Sequence, residues 1–189
     1  LHTLYCGSNQ ISSLDISNNL LMWRLFFNNN QISSIDVSQH LFLELFNCGG
    51  NLISSVDISN NDLLEDFECY GNQISSLDLS NNLLLEKVFC NDNQIIQLDF
   101  TNNSALEKIR CNNNDLTSLD LRNGNNTSIT ELKTHQNDSL FCVSVDNSTY
   151  SDTAWLNPLN TNFNFDNKVS FSSNCNPTAG NKTYVPDDN

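Results

Sequence analysis

Apolar and polar positions recur along residues 1–121 with a fixed spacing of 21 residues. The unit reads L-x-x-L-x-C-x-x-N-x-I-S-S-L-D-I-S-N-N-x-x, and its six copies begin at Leu1, Met22, Leu43, Leu64, Leu85 and Leu106. A period of this length marks a solenoid with one coil per unit. Each coil carries the pattern twice, since Leu1, Leu4, Cys6 and Asn9 have the spacing of Ile11, Leu14, Ile16 and Asn19. Leu4 and Cys6, then Leu14 and Ile16, alternate as in a short strand with one buried face. The pattern predicts two parallel strand stacks on opposite sides of a flattened coil, and two strands with two turns leave little room for helix.

Leucine at these positions makes the array a leucine-rich-repeat solenoid, in which stacking buries a continuous core that one coil could not bury alone. Six repeats occupy residues 1–122. The run Arg122-Asn123-Gly124-Asn125-Asn126-Thr127-Ser128 inserts two residues, and an irregular seventh repeat over 123–145 follows with Ile129, Leu132, Thr134, Asn137, Leu140, Val143 and Val145. From Asp146 the period is lost, and Trp155, Pro158, Phe163, Phe165 and Phe171 read as a C-terminal cap over 146–176 whose aromatics cover the last coil. Residues 177–189 read as a linker toward a following segment. The chain opens in mid-array without an N-terminal cap or signal peptide, so the expectation is a fragment of a larger protein.

Asn9, Asn30, Asn51, Asn72, Asn93, Asn114 and Asn137 stand where the chain leaves the first strand. There an inward amide can satisfy backbone groups that the turn leaves unpaired. Cys6, Cys48, Cys69, Cys90 and Cys111 form one column that also accepts Phe27, which points to packing rather than reactivity. A straight line of thiols also lacks the convergence a metal site needs. Cys142 and Cys175 lie outside this column and flank the closing segment. A disulfide between them would close a loop of about 33 residues, contribute roughly 3–4 kcal/mol and imply an oxidising compartment.

Charge narrows the range of partners. Eight Lys and Arg against 22 Asp and Glu give a formal net charge of -14, which repels phosphate backbones and anionic bilayers and argues against nucleic acid. No apolar run approaches the roughly 20 residues of a membrane span.

The repeat, with its closing run Leu140-Phe141-Cys142-Val143-Ser144-Val145-Asp146, Ala154-Trp155 and Phe171-Ser172-Ser173-Asn174-Cys175, resembles the short bacterial leucine-rich-repeat class called IRREKO. The last residues, Tyr184–Asn189, resemble the start of a further repeat block. The resemblance implies an exported or surface protein of the Bacteroidetes kind, used in adhesion or recognition. It also gives Asp138-Ser139-Leu140 and Asp152-Thr153-Ala154 as matches to a short O-glycosylation acceptor pattern, at Ser139 and Thr153.

The copies themselves separate framework from variation. On the second half-coil, Ser-Ser precedes the strand in four copies, and Asp15, Asp36, Asp57, Asp78, Asp99 and Asp120 recur within it. On the first half-coil the outward columns diverge, and Tyr5, Trp23, Arg24, Phe26, Asn47, Asp66, Glu68, Tyr70, Lys87, Phe89, Lys108, Arg110, Lys133 and His135 form the candidate binding face. Its acidic middle passes into a more basic C-terminal third. Its Trp and Phe residues are costly to leave in water without a ligand.

Neighbouring carboxylates of the Asp column, held about 4.8 Å apart, repel by roughly 1 kcal/mol in water. Flanking serines and amides can offset this, and a straight row offers too few converging oxygens for calcium. His2, His40 and His135 stand in different columns with no recurring nucleophile or carboxylate beside them, which argues against an enzyme. The sequence thus predicts an extracellular module that binds a protein or surface glycan, without cofactor or metal. The alternative is a structural spacer or self-assembling stalk.

Overall fold

The computed structural model describes residues 1–156 and 159–175; Pro158 of the cap and the 177–189 linker, with Tyr184–Asn189, lie outside them. In chain order the strands are β1 (Thr3–Tyr5), β2 (Arg24–Phe26), β3 (Leu45–Asn47), β4 (Asp66–Glu68), β5 (Lys87–Phe89), β6 (Gln97–Asp99), β7 (Lys108–Arg110), β8 (Ser118–Asp120), β9 (Glu131–Lys133), β10 (Cys142–Ser144), β11 (Phe163–Asn164) and β12 (Ser170–Ser172). A 3-10 turn at Asn126–Ser128 follows β8, and one helix, α1 (Ser148–Ala154), follows β10. The first sheet is parallel and ordered β1-β2-β3-β4-β5-β7-β9-β11, and the second is parallel and ordered β6-β8-β10-β12. The chain is a leucine-rich-repeat solenoid, as its period predicts.

Pairing in the first sheet has no stagger. Leu4 pairs with Leu25, Leu25 with Phe46, Phe46 with Phe67, and the row continues through Val88 and Ile109 to Leu132. A position in the repeat is therefore a row in space. These inward side chains are fully buried from Leu25 onward, each worth about 1.5–3 kcal/mol of hydrophobic stabilisation.

The second stack has ladder pairing only from β6 onward. The reason is visible in the residues that precede the buried Leu. Coils 5 and 6 carry Ile96-Gln97 and Thr117-Ser118, and Thr117 donates from its N–H to the Ile96 carbonyl at 2.8 Å. Coils 1–4 carry Ser-Ser at the same place and show no strand there. Serine competes for backbone hydrogen bonds locally, whereas β-branched residues favour the pleated ladder.

The turns are fastened by amides. Asn51 donates from Nδ2 to the carbonyls of Cys48 at 3.0 Å and Phe27 at 3.2 Å, and its Oδ1 accepts from the Ile32 N–H at 3.0 Å. Asn30, Asn72, Asn93, Asn114 and Asn137 repeat this set, each stitching its own coil to the one before. The residue before each of these asparagines, and before Asn9, is left-handed: Ser8, Asn29, Gly50, Gly71, Asp92, Asn113 and Gln136 have φ between 55° and 64°. Gly, Asn and Asp, which tolerate this region best, hold five of the seven places. A second row of buried amides, Asn61, Asn82 and Asn103, links the opposite turns, and His40 takes the equivalent place in coil 2.

The cap is more regular than its sequence. β11 extends the first sheet, with Phe163 opposite Leu132, and β12 extends the second, with Phe171 opposite Val143. Trp155 is buried at the end of α1, stacked on Phe163 at 5.7 Å and edge-on to Phe171 at 5.4 Å. Both carboxylate oxygens of Asp166 accept backbone N–H groups of the last full coil, from Gln136 and Asn137 at 3.1 Å each. They replace the backbone carbonyls that a further coil would supply. The Cys142–Cys175 disulfide closes this segment across 33 residues, with Cα atoms 5.8 Å apart.

Candidate binding face

Register places the outward residues in two rows across the first sheet. Tyr5, Phe26, Asn47, Glu68, Phe89, Arg110 and Lys133 are successive partners in one, and Thr3, Arg24, Leu45, Asp66, Lys87, Lys108 and Glu131 in the other. Trp23 immediately precedes β2, while Tyr70 and His135 stand in the turns after β4 and β9. All fourteen predicted face residues therefore stand on the first sheet or beside it, with Asn47 and Phe89 buried at 9% exposure each.

At the N-terminal end the surface is aromatic. Tyr5, 63% exposed, stacks on Phe26 with centroids 4.8 Å apart and planes 19° from parallel. Beside them the Arg24 guanidinium lies 3.9 Å from the Trp23 ring centroid, a cation–π contact. Further along, Asn47 donates to Glu68 at 2.7 Å and accepts from the Gly49 N–H at 3.0 Å. The Tyr70 ring lies flat over Gly49, where a Cβ would come within 2.5 Å of it.

The charged part differs from the expected passage from an acidic to a basic field. Lys87 bridges Asp66, at 3.1 Å, and Glu68, and Arg110 and Lys133 both reach Glu131, at 2.6 and 3.3 Å. Opposite charges one coil apart, or two residues apart in β9, neutralise each other. Burial pushes the Asp66 carboxyl up, outweighing its Lys87 partner. Burial also opposes charge on Glu131, but the Arg110 and Lys133 hydrogen bonds outweigh it and hold this carboxyl below its usual range. For Lys87, burial is outweighed by Glu68 and Asp66, so its ammonium is held on more tightly than usual.

Phe89 is not the open aromatic that the sequence predicts. It points outward but is only 9% exposed, because Lys87 lies 4.5 Å and Arg110 4.1 Å from its ring centroid. The open aromatic surface is the Tyr5–Phe26 pair, and Phe89 is the floor beneath two cations. Glu131, in the outward row after Lys108, joins Arg110 to Lys133.

The other candidate chemistries have structural partners. Each Asp of the second half-coil accepts the backbone N–H two residues on, at 2.9–3.1 Å, at Ser17, Ser38, Ser59, Ser80, Thr101 and Arg122. Burial drives the Cys48 and Cys90 thiols up to about 12 and those of Cys69 and Cys111 well above their usual range. Among the described residues no three His, Cys, Asp or Glu side chains converge on a metal position, and no helix is long and apolar enough to cross a membrane. Ser139 is exposed, whereas the Thr153 hydroxyl donates back into α1, to Thr149 and Tyr150.

No family model matches the sequence, and no curated protein matches it. Among solved structures the chain is similar to bacterial internalins. The functional domain of InlJ from Listeria monocytogenes, described as including a cysteine ladder, aligns with TM-score 0.69 and 28% identity over 77% of this chain and 34% of that one. Internalin InlF of the same species, strain 4b F2365, aligns at 0.67 with 22% identity over 88% of this chain and 47% of that one. Internalin C2 from that strain aligns at 0.64 with 18% identity over 91% and 71%. The last two likenesses concern the fold alone, and the chain spans about a third of the InlJ domain and under half of InlF.

Proposed function

We propose that this chain is an extracellular recognition module whose first-sheet face docks a protein ligand. One observation carries the reading: the inward rows and amide ladder repeat in coil after coil, while the two outward rows, in strict register beside them, change residue at nearly every step. A stack selected only to stand up has no use for Tyr5, Trp23 and Phe26 grouped at one end of that face, and aromatic clusters of this kind are enriched where proteins bind.

Two further points support it. The internalin likeness sets the module among bacterial leucine-rich-repeat proteins, and the repeat's own resemblance is to the IRREKO class of exported Bacteroidetes proteins. The Cys142–Cys175 disulfide suits an oxidising compartment. A surface glycan is the second ligand class, favoured by the stacked Tyr5–Phe26 platform.

The test is a cell-surface protein pull-down and a glycan array run with the wild type and a Tyr5→Ala, Trp23→Ala, Phe26→Ala variant. A protein captured by the wild type and lost by the variant supports the reading. A sugar lost in the same way moves the ligand class to glycan. Identical behaviour of the two chains, or a mass that grows with concentration, favours a spacer or self-assembling stalk.

A further inference from the structure

A second surface lies on the edge of the solenoid that turns from the second half-coil into the first sheet. Leu20 and Leu21 in coil 1, Leu41 and Phe42 in coil 2, Leu63 in coil 3, and Leu83 and Leu84 in coil 4 project there, each 40–60% exposed. Leu41 and Leu83 line one shallow groove with Asp62 between them. Coil 5 ends the ridge with Ser104-Ala105. Exposed large side chains at these two positions of four successive coils, interrupted in one row by Asp62, make an apolar patch, which soluble proteins keep small unless it binds something.

Charge specifies the occupant. The segments that form this edge, 15–23, 36–44, 57–65, 78–86 and 99–107, hold ten carboxylates and neither Lys nor Arg. On one flank Glu44, Glu65, Glu86 and Glu107 are direct neighbours, each donating its N–H to the equivalent carbonyl of the preceding coil at 2.8–3.0 Å. Among the described residues none of the four is ion-paired. On the other flank runs the Asp column. A second copy of the chain would bring like charge against like, as would an anionic bilayer. A peptide with an apolar stripe bordered by Lys or Arg meets both features. Four coils at about 4.8 Å per step span roughly 14 Å, or about ten residues of helix at 1.5 Å each.

We propose that this ridge docks a cationic amphipathic protein segment, independently of the first-sheet face. The test measures fluorescence anisotropy with the full chain and three labelled synthetic peptides: a helical Leu stripe bordered by Lys, the same composition with the stripe scrambled, and the stripe bordered by Glu. The Lys-bordered peptide should bind at least tenfold tighter than the other two, and weaken with salt. A Leu41→Ser, Phe42→Ser, Leu83→Ser, Leu84→Ser variant should lose that preference while keeping its urea midpoint. A Glu44→Lys, Glu65→Lys, Glu86→Lys variant should invert it toward the Glu-bordered peptide. Equal binding of the scrambled peptide, or unchanged binding by the serine variant, overturns the proposal. So does self-association or capture by phosphatidylcholine vesicles that the serine variant abolishes, since either assigns the ridge to another occupant. A Tyr5→Ala, Phe26→Ala variant should bind the Lys-bordered peptide as the wild type does, which keeps this result separate from the fate of the first-sheet face.

Discussion

The guanidinium of Arg110 lies 4.1 Å from the ring centroid of Phe89, one strand away in the first sheet, while Lys87 approaches the same ring at 4.5 Å. The two cations are also tied to carboxylates, Lys87 to Asp66 and Glu68 and Arg110 to Glu131. An aromatic ring thus organises the charges of four coils.

Phe89→Ala should cost about 2–4 kcal/mol of stability through lost apolar burial and two lost cation–π contacts. Phe89→Leu should recover the burial part alone. Urea denaturation of the two variants beside wild type separates the contributions, and a Leu variant as stable as wild type would remove the cations from the explanation.

The amide ladder predicts a sharper effect in the core of the stack. Asn51→Ala leaves the Ile32 N–H without its acceptor, at about 1–3 kcal/mol for a group left buried and unpaired, and takes one of two amide donors from each of the Phe27 and Cys48 carbonyls, which keep Asn30 and Asn72. Asn51→Asp should fare no better, because an ionised carboxylate cannot donate to the carbonyls of Phe27 and Cys48. Hydrogen exchange at Ile32 reports the local opening, and protection as strong as in wild type would contradict the assigned role.

Legibility in the sequence followed a simple rule. Much of what the 21-residue period governs was readable, including the coil register, the Asn row, the buried Cys column and the outward rows from Tyr5 to Lys133, although the second strand stack it implies in every coil forms only from coil 5 onward. What depends on contacts between coils was not. Phe89 looks open in a one-dimensional list and is covered because Lys87 and Arg110 converge on it from two strands. The extra strands of the cap were hidden because α1 interrupts the spacing between β10 and the strands that follow it. The left-handed row did carry a signal, Gly, Asn or Asp at five of its seven places, blurred by Ser8 and Gln136.

Thiol labelling should follow burial. At pH 8 a thiol pushed up to about 12, as at Cys48 and Cys90, is ionised to only about one part in ten thousand. Native protein treated with iodoacetamide should leave Cys48, Cys69, Cys90 and Cys111 unmodified, while the half-buried Cys6 reacts slowly. All five should be labelled in urea, and mass spectrometry of the native digest decides.

Removing the cross-link with Cys142→Ser and Cys175→Ser should cost about 3–4 kcal/mol for a loop of this length. The loss should appear first in the cap. Trp155, buried there against Phe163 and Phe171, gives a fluorescence change that should precede loss of the far-UV signal, whereas coincident transitions would show that the cap and array unfold as one.

Acid should destabilise the fold. Asp57 and Asp78 are held below the usual carboxylate range, first by the N–H groups and then by the hydroxyls of Ser59 and Ser80. A depressed folded pKa contributes stability that is present above the unfolded value near 4 and is lost as pH falls through the folded one. Asp66, pushed up by burial, acts in the opposite sense: its contribution is present below the unfolded value and is lost as pH rises through its folded pKa. Urea midpoints should therefore fall below about pH 4, and less so in an Asp57→Asn, Asp78→Asn variant. An identical fall in that variant would place the acid sensitivity elsewhere.

Because each ladder asparagine reaches only its own coil and the one before it, the array has no longer-range bookkeeping to upset. Whole units can be duplicated or deleted between Asn51 and Asn72 with the terminal lid unchanged, as expected of nearest-neighbour architectures. Evolution, or a designer, can edit such a molecule one rung at a time, resizing what it grips without renegotiating how it folds.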